Sequence, residues 1–276
     1  MLTLLPDLNI AALKYAHVHR EHGGPIHSLA FTERDSPEGK LFESFAYLDE
    51  TRAGLGPLGT QPQGQALGFT KEEAVHGAIS QAMEFWAWKS APPALLQSDS
   101  SPLGFAAFPG LGHQGARKRA YFSAAEKFTL LSWWAGRCRH SPLKIPGTDG
   151  IQIASPIQGV TLAVVHSVSA GQTIFGVGTA TTLGPAVQRA RLQLQRNRDW
   201  LFARYAAPYA ALHRLQYFSA GSGLSSYHAR AAETGTRAAA PALLCDQLVP
   251  GPWAQYAHVW RCLFESLPES EDSFLF

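Results

Sequence analysis

Apolar and polar positions along the chain alternate between a helical and an extended period, and turn residues mark where each changes. Residues 7–22 put Ala11, Leu13 and Tyr15 among the apolar positions of a first helix, stopped by Gly23, Gly24 and Pro25. Residues 26–32 and 41–48 alternate and carry aromatics, which predicts a strand pair around the turn from Asp35 to Gly39. The Gly-, Pro- and Gln-rich stretch 52–65 reads as a loop. Thr70, with Glu73 three residues on, is a capping box that opens a helix over 70–89, ended by Pro92 and Pro93. A short strand is expected at 103–108, a second long helix over 115–136, and strands at 151–154, 158–168 and 172–178. The run 158–168 is largely apolar and so is expected to be buried on both faces. Pro185, near its first turn, opens a third helix running to about residue 206. Beyond it, residues 219–237 are small and polar and read as a long loop, and a last helix is expected over 251–266. Strands alternating with three long helices indicate an α/β or α+β fold with helices stacked on sheet.

The three long helices share one design. Each begins with paired alanines four apart: Ala74 and Ala78, Ala116 and Ala120, Ala186 and Ala190. Seven residues past the leading alanine stand Gln81, Ser123 and Gln193; ten past it the first two helices carry Glu84 and Glu126. Those positions lie roughly 20 and 80 degrees around a helix from the alanine. The expectation is a small-residue seam for close packing and a polar pair presented beside it.

Composition changes this picture little. The chain has 276 residues, enough for a sizeable core in one large domain or two small ones. Charged residues make up 16%, low against a usual value of about 25%. That reflects either a surface kept against partners or a general enrichment in Ala, Gly and Pro. A net charge of +2 gives no case for nucleic acid. Arg189, Arg191, Arg196, Arg198 and Arg204 cluster on the third helix, as solvated helix faces commonly do. Cys138, Cys245 and Cys262 are odd in number and lack metal-site spacing, and no apolar run reaches membrane-spanning length. A cytoplasmic protein without a membrane segment is expected.

The repeated helices resemble those of YcaO proteins, whose helices read roughly A-x3-A-x2-E-x2-E-R. The segment Ala74 to Glu84 is similar to the first. Ala116 to Lys127, followed by Trp133 and Trp134, is similar to the second, and Gly176 to Ala190 to the family's strand-then-helix segment. Gly104 to Gly110 stands where the family has a Ser-Asn-Gly segment. The resemblance covers about residues 65–205. It implies one YcaO-like domain over 1–276, with a repeat-helix core at 65–205 and a variable part at 206–276.

In that family clustered carboxylates hold magnesium on the phosphates of ATP, which activates a backbone amide oxygen for ring closure. Here only Glu84 and Glu126 match those acids. The others stand as Gln81, Ser123, Gln193 and Arg196; only Lys127 keeps the basic residue that follows, and Phe85 replaces the other. Neutral oxygens are weaker magnesium ligands. The resemblance therefore implies a divergent homologue of the trifolitoxin-pathway type with a degenerate nucleotide cleft lined by Gln81, Ser123, Lys127, Gln193 and Arg196, and no metal or cofactor of its own.

Its expected work is ATP-independent backbone modification of a ribosomally made precursor peptide, in an antibiotic-type pathway. The expected assembly is a hetero-oligomer with a nitroreductase-fold dehydrogenase that carries the FMN. Glu84, Glu126 and His76 are the candidate acid–base groups. Each also has a structural reading: partly buried acids bonded across a helix pair, and a core imidazole. A non-catalytic scaffold for the leader peptide is the alternative, and an ATP-dependent azoline-forming enzyme a further one. Among the remaining signals, His17, His19 and His22 read as surface histidines, Gly176 and Gly178 as a strand-end turn, and Trp86, Trp88, Trp133 and Trp134 as core anchors.

Overall fold

The computed structural model describes residues 15–36, 39–92, 104–109, 112–202, 209–236 and 239–265. It divides into two compact units, Met1–Tyr121 with Cys245–Leu263, and Phe122–Leu244 with Phe264–Phe276. Among the described residues the architecture is mixed α/β, with antiparallel sheets and six α-helices.

In the first unit, β1 (Ile26–Ser36), β2 (Gly39–Leu48) and β3 (Gly64–Gly68) form one sheet in that order, with the short α1 (Glu50–Ala53) between β2 and β3. The expected strand pair is present, both strands longer than their sequence signals. The long helix α2 (Lys71–Ser90) packs on this sheet. Its cap is as expected in part: Thr70 Oγ1 accepts the Glu73 N–H at 3.2 Å, while the Glu73 carboxylate reaches one residue further out, to the Phe69 N–H at 2.9 Å. β4 (Phe105–Phe108) pairs antiparallel with β10 (His258–Phe264), in a sheet ordered β4-β10-β9 where β9 is Leu243–Leu248. Val18, Ile26, Met83, Trp86, Phe105, Trp253 and Val259 belong to one core cluster.

The helix α3 (Gln114–Trp134) contributes residues to both units. In the second, β5 (His140–Ile145), β6 (Thr148–Ala154), β7 (Thr161–Ser169) and β8 (Gln172–Ala180) form an antiparallel meander. The helix α4 (Leu183–Leu201) packs on β8, followed by α5 (Tyr209–Ser219) and α6 (Gly221–Ala232). Its core includes Leu130, Trp133, Ile153, Leu162, Phe175, Phe218 and Tyr227.

The small-residue seam is real, and in two helices its purpose is strand-on-helix packing. Ala74, Ala78, Ala186 and Ala190 are fully buried, as are Ala116 and Ala120. A Cβ at Gly64 of β3 would stand 1.9 Å from the Ala78 carbonyl oxygen, and one at Gly176 of β8 would stand 2.0 Å from that of Ala190. The two units thus use the same contact, a glycine strand pressed on an alanine helix.

Three expectations are corrected. Residues 219–237 are not a long loop: α5 ends at Ser219 and α6 follows through Gly221, whose φ of 67° turns the chain between them. Gly and Ser looked like breakers, but Gly223 lets the helix close on Tyr217, while Tyr227 and Arg230 bury the same helix. The last helix expected at 251–266 is a 3₁₀ turn, Pro252–Gln255, and then β10, because the run His258–Arg261, with its β-branched Val259 and aromatic Trp260, finds a strand partner in β4. In the first helix expected at 7–22, residues 16–22 are two 3₁₀ turns, Ala16–Val18 and Arg20–His22; residues 7–14 lie outside the described residues. The strand β5 had no clear signal in the sequence.

Candidate functional site

Three polar side chains line one face of α2. His76, Ser80 and Glu84 stand four residues apart, so successive turns stack them in a file. His76 and Ser80 are buried, and Glu84 is half-buried.

Each member has a neighbour from elsewhere in the first unit. The Tyr15 hydroxyl and Ser80 Oγ share a hydrogen bond at 2.8 Å. Arg119 of α3 donates from Nη1 to Ser80 Oγ and to the Ala107 carbonyl oxygen, both at 3.4 Å. The Ala107 N–H donates to Glu84 Oε1 at 3.1 Å. The His76 ring lies between those of Tyr15 and Phe108, with centroids 5.5 and 5.4 Å away, and Arg119 stands over the Phe108 face at 5.2 Å. His76 Nε2 is buried with no hydrogen-bond partner among the described residues.

This environment sets the protonation states. Burial drives the Glu84 carboxyl up to about 7, against the opposing pull of the Ala107 N–H and the Arg119 charge. Burial, and then Arg119, drives the His76 imidazole down to about 3, so the ring is neutral at pH 7. Burial also raises the Tyr15 phenol, which remains a donor throughout the ordinary range. The cluster holds one group poised near neutrality, between a fixed cation and neutral donors.

In the second unit, Glu126 Oε2 accepts from Thr179 Oγ1 at 2.6 Å, and Arg189 Nη1 donates to the Thr179 carbonyl oxygen. Burial raises the Glu126 carboxyl, while the Thr179 hydroxyl, Arg189 and Arg196 hold it back. Arg196 lies over the Trp200 ring at 4.8 Å. Ser123 and Lys127, half-buried, flank Glu126 along α3.

Gln81 and Gln193 do the same job in their own units. Gln81 Oε1 accepts the Gln65 N–H of β3 at 3.3 Å, and Gln193 Oε1 accepts the Val177 N–H of β8. In both cases the strand residue lies sixteen positions earlier. Within α2, then, Gln81 is turned to β3 and Glu84 to β4.

The structure places His76, Gln81 and Glu84 in the first unit, with His76 and Glu84 in one file, and Ser123, Glu126, Lys127, Gln193 and Arg196 in the second. Tyr15, Ser80 and Arg119 were missed in the sequence. Ser80 had a signal, the four-residue spacing between His76 and Glu84; Arg119 and Tyr15 had none.

The residues expected to line a nucleotide cleft are engaged in bonds within the protein. Magnesium seeks about six hard oxygen ligands in octahedral array. Here an oxygen of each of Gln81, Glu84, Gln193 and Glu126 already accepts a protein hydrogen bond. Burial raises the Glu84 carboxyl to about 7, and two arginines bear on Glu126. Among the described residues, no group of three or more His, Cys, Asp or Glu side chains is arranged to hold a metal ion, and no helix is long and apolar enough to cross a membrane.

No protein-family model and no curated protein matches the sequence. Solved structures do share the fold. A YcaO protein of Methanopyrus kandleri, bound with AMPPCP and Mg2+, is similar over 74% of this chain and 70% of its own, at 12% identity and a TM-score of 0.52. A heterocyclase in complex with substrate and cofactor is similar over 94% of this chain, at 10% identity and a TM-score of 0.53. This chain spans about half of that heterocyclase, 52% of its length. The antiparallel sheets, the helices laid on them and these two likenesses give the chain a YcaO-like fold.

Proposed function

We propose that this chain modifies the backbone of a ribosomally made precursor peptide without nucleotide, in the manner of a divergent trifolitoxin-type homologue. Glu84 is the proton-transfer group. The observation that carries this reading is the Tyr15–His76–Ser80–Glu84–Arg119 cluster, in which a half-buried carboxyl bonded to the Ala107 N–H is brought to about 7 near a fixed cation. A carboxyl in that range serves equally as acid and base at neutral pH. Likeness to a heterocyclase in complex with substrate and cofactor supports ring formation as the chemistry.

Closing a side-chain thiol or hydroxyl onto the preceding backbone carbonyl carbon forms a C–S or C–O bond, turns the amide C–N into C=N, and expels the carbonyl oxygen as water with the protons of the attacking group and the amide N–H. Glu84 in its acid form gives a proton to the departing oxygen, and as carboxylate takes one from the amide nitrogen or the attacking group. Arg119 and Ser80 hold the charge that develops on the oxygen. In the second unit Glu126 is a separate candidate acid, with Thr179, Arg189 and Arg196 around it. Oxidation of the ring is assigned to a separate FMN-dependent dehydrogenase of nitroreductase fold, with which the chain forms a cytoplasmic hetero-oligomer.

A specific observation favours a second reading, a scaffold that holds the leader peptide: Gln81, Gln193, Glu84 and Glu126 all spend oxygens on bonds internal to the protein. One experiment separates the two. Precursor and dehydrogenase are kept constant, nucleotide is omitted, and this chain is added in trace amount. An enzyme gives product in excess of the chain added, and Glu84→Gln lowers the yield at least tenfold. Product limited to one turnover per chain identifies the scaffold, and a strict need for Mg-ATP overturns both.

A further inference from the structure

We propose that β1 is the docking edge for a second copy of this chain, the two strands pairing antiparallel about Ala30. β1 ends its sheet, which is ordered β1-β2-β3. At the opposite edge β3 is buried at every residue but Leu67. On β1, by contrast, Ser28, Ala30 and Glu33 are exposed, and so is Phe31, at 37%. Ala30 and Phe31 lie on opposite faces, so the strand is open on both faces as well as along its edge. Alternate backbone groups of an edge strand find no partner in their own sheet. The Ala30 carbonyl oxygen accepts from Ser44 Oγ of β2 at 3.2 Å and so points inward. Alternation turns the N–H and C=O groups of Leu29 and Phe31 outward.

The devices that guard a sheet edge stand at the two ends of this one. A bulge interrupts the register between Ile26 and Ser28, and His19 bridges to Ile26 there. Glu33, bonded to Lys40, and Asp35 charge the other end. Residues 28–32, between them, carry no charge. Phe31 is the anchor of that stretch. Its ring stacks on Phe42 at 5.8 Å, with Lys71 Nζ 4.8 Å from its centroid, so little rotamer freedom is left to lose on binding.

The sequence of the strand makes it complementary to itself. Pairing about Ala30 sets Leu29 against Phe31, Ser28 against Thr32 and His27 against Glu33, each of them twice. Pairing about Phe31 would set Leu29 against Glu33, and pairing about Thr32 would set Phe31 against Glu33, an apolar side chain on a carboxylate in both cases. Charge agrees with the first register. Arg20 Nη1 donates to His27 Nδ1 at 3.1 Å. Arginine has no acceptor, so a neutral His27 ring carries its proton on Nε2, and that N–H suits the Glu33 carboxylate of the other copy. The contact is two-fold, with the same residues given by both copies, and the joined sheet runs β3-β2-β1-β1-β2-β3.

This surface does not depend on what the chain modifies, and its test needs no turnover. In sedimentation equilibrium the full chain is expected to form a dimer that dissociates on dilution. Phe31→Lys weakens it at least tenfold. His27→Glu and Glu33→His each weaken it, and the two together restore part of the loss, because the pair is then reversed in both copies. Residues facing each other without hydrogen bonds in an antiparallel pair have Cα atoms about 4.5 Å apart, within reach of a disulfide. Ala30→Cys, on the two-fold axis, is therefore expected to cross-link the copies under mild oxidation beyond the level of the wild-type chain, and Thr32→Cys is not. Circular dichroism confirms that each variant is folded. A chain that stays monomeric at every concentration overturns the proposal, as does unchanged affinity in a folded Phe31→Lys variant or cross-linking at Thr32→Cys in place of Ala30→Cys. Protection of the β1 amides from hydrogen exchange by an added extended peptide, in a chain that remains monomeric, assigns the edge to another occupant and overturns it too.

Discussion

Glu84 and Arg119 grip the same residue. Glu84 accepts the Ala107 N–H at 3.1 Å, and Arg119 donates to the Ala107 carbonyl oxygen at 3.4 Å. β4 stands at the edge of its sheet, where backbone groups lack a strand partner. A carboxyl and a guanidinium supply the missing acceptor and donor. The pair also sets the chemistry, because the Arg119 charge restrains the rise of the Glu84 carboxyl and deepens the fall of the His76 imidazole.

The Glu84 carboxyl makes stability depend on pH with a definite sign. Its folded value of about 7 lies above the ordinary 4.5, so the folded state binds the proton more tightly than the unfolded one. Its contribution is complete below pH 4.5 and is lost as pH rises through about 7. Glu84→Gln, a permanently neutral mimic, is expected to be more stable than wild type at pH 8, by at most on the order of 3 kcal/mol. The difference shrinks toward zero near pH 4.5. Urea unfolding midpoints at the two pH values measure it, and an equal difference at both removes the titration from Glu84.

His76 acts in the opposite direction. A ring held down to about 3 stabilises the fold fully above pH 6.5, and that contribution drains away as pH falls from there toward 3. Wild type therefore carries two slopes that partly cancel in the acidic range. His76→Phe keeps an aromatic body between Tyr15 and Phe108 and is expected to lose the acid-side decline. Glu84→Gln makes that decline steeper. Thermal melts between pH 4 and pH 7 give both curves, and parallel curves for His76→Phe and wild type exclude the assignment.

Gln81 and Gln193 are expected to matter for folding before they matter for chemistry. Changing either to Leu leaves a strand N–H, of Gln65 or Val177, without its acceptor. The cost of such a group is about 1–3 kcal/mol. Both variants should lower the urea midpoint by similar amounts, since the two glutamines make the same bond in their own units. A loss of activity at full stability in either variant would show that the glutamine touches substrate.

Local pattern by itself determined a good share of this protein. The helices at 71–90, 114–134 and 183–201 were readable because their alanine seams and the Thr70 cap depend on neighbours within a few turns. The β1–β2 pair was readable for the same reason, as was the close packing of Ala78 and Ala190, although not that a glycine strand would fill it. The resemblance of those helices to YcaO proteins pointed to the fold.

Only tertiary structure decided the rest. β10 is a strand because β4 lies ready to pair with it, a partner some 150 residues away. The Gly- and Ser-rich run after Ser219 is a helix because Gly223 can close on Tyr217 and Tyr227 can be buried. The site follows the same rule. His76 and Glu84 were visible on one helix, but burial, Tyr15 and Arg119 set their protonation, and all three depend on distant parts of the chain meeting. Periodicity records what a residue does for its own element. The free energy of a buried charge depends on what surrounds it, and that is specified only once the chain has folded.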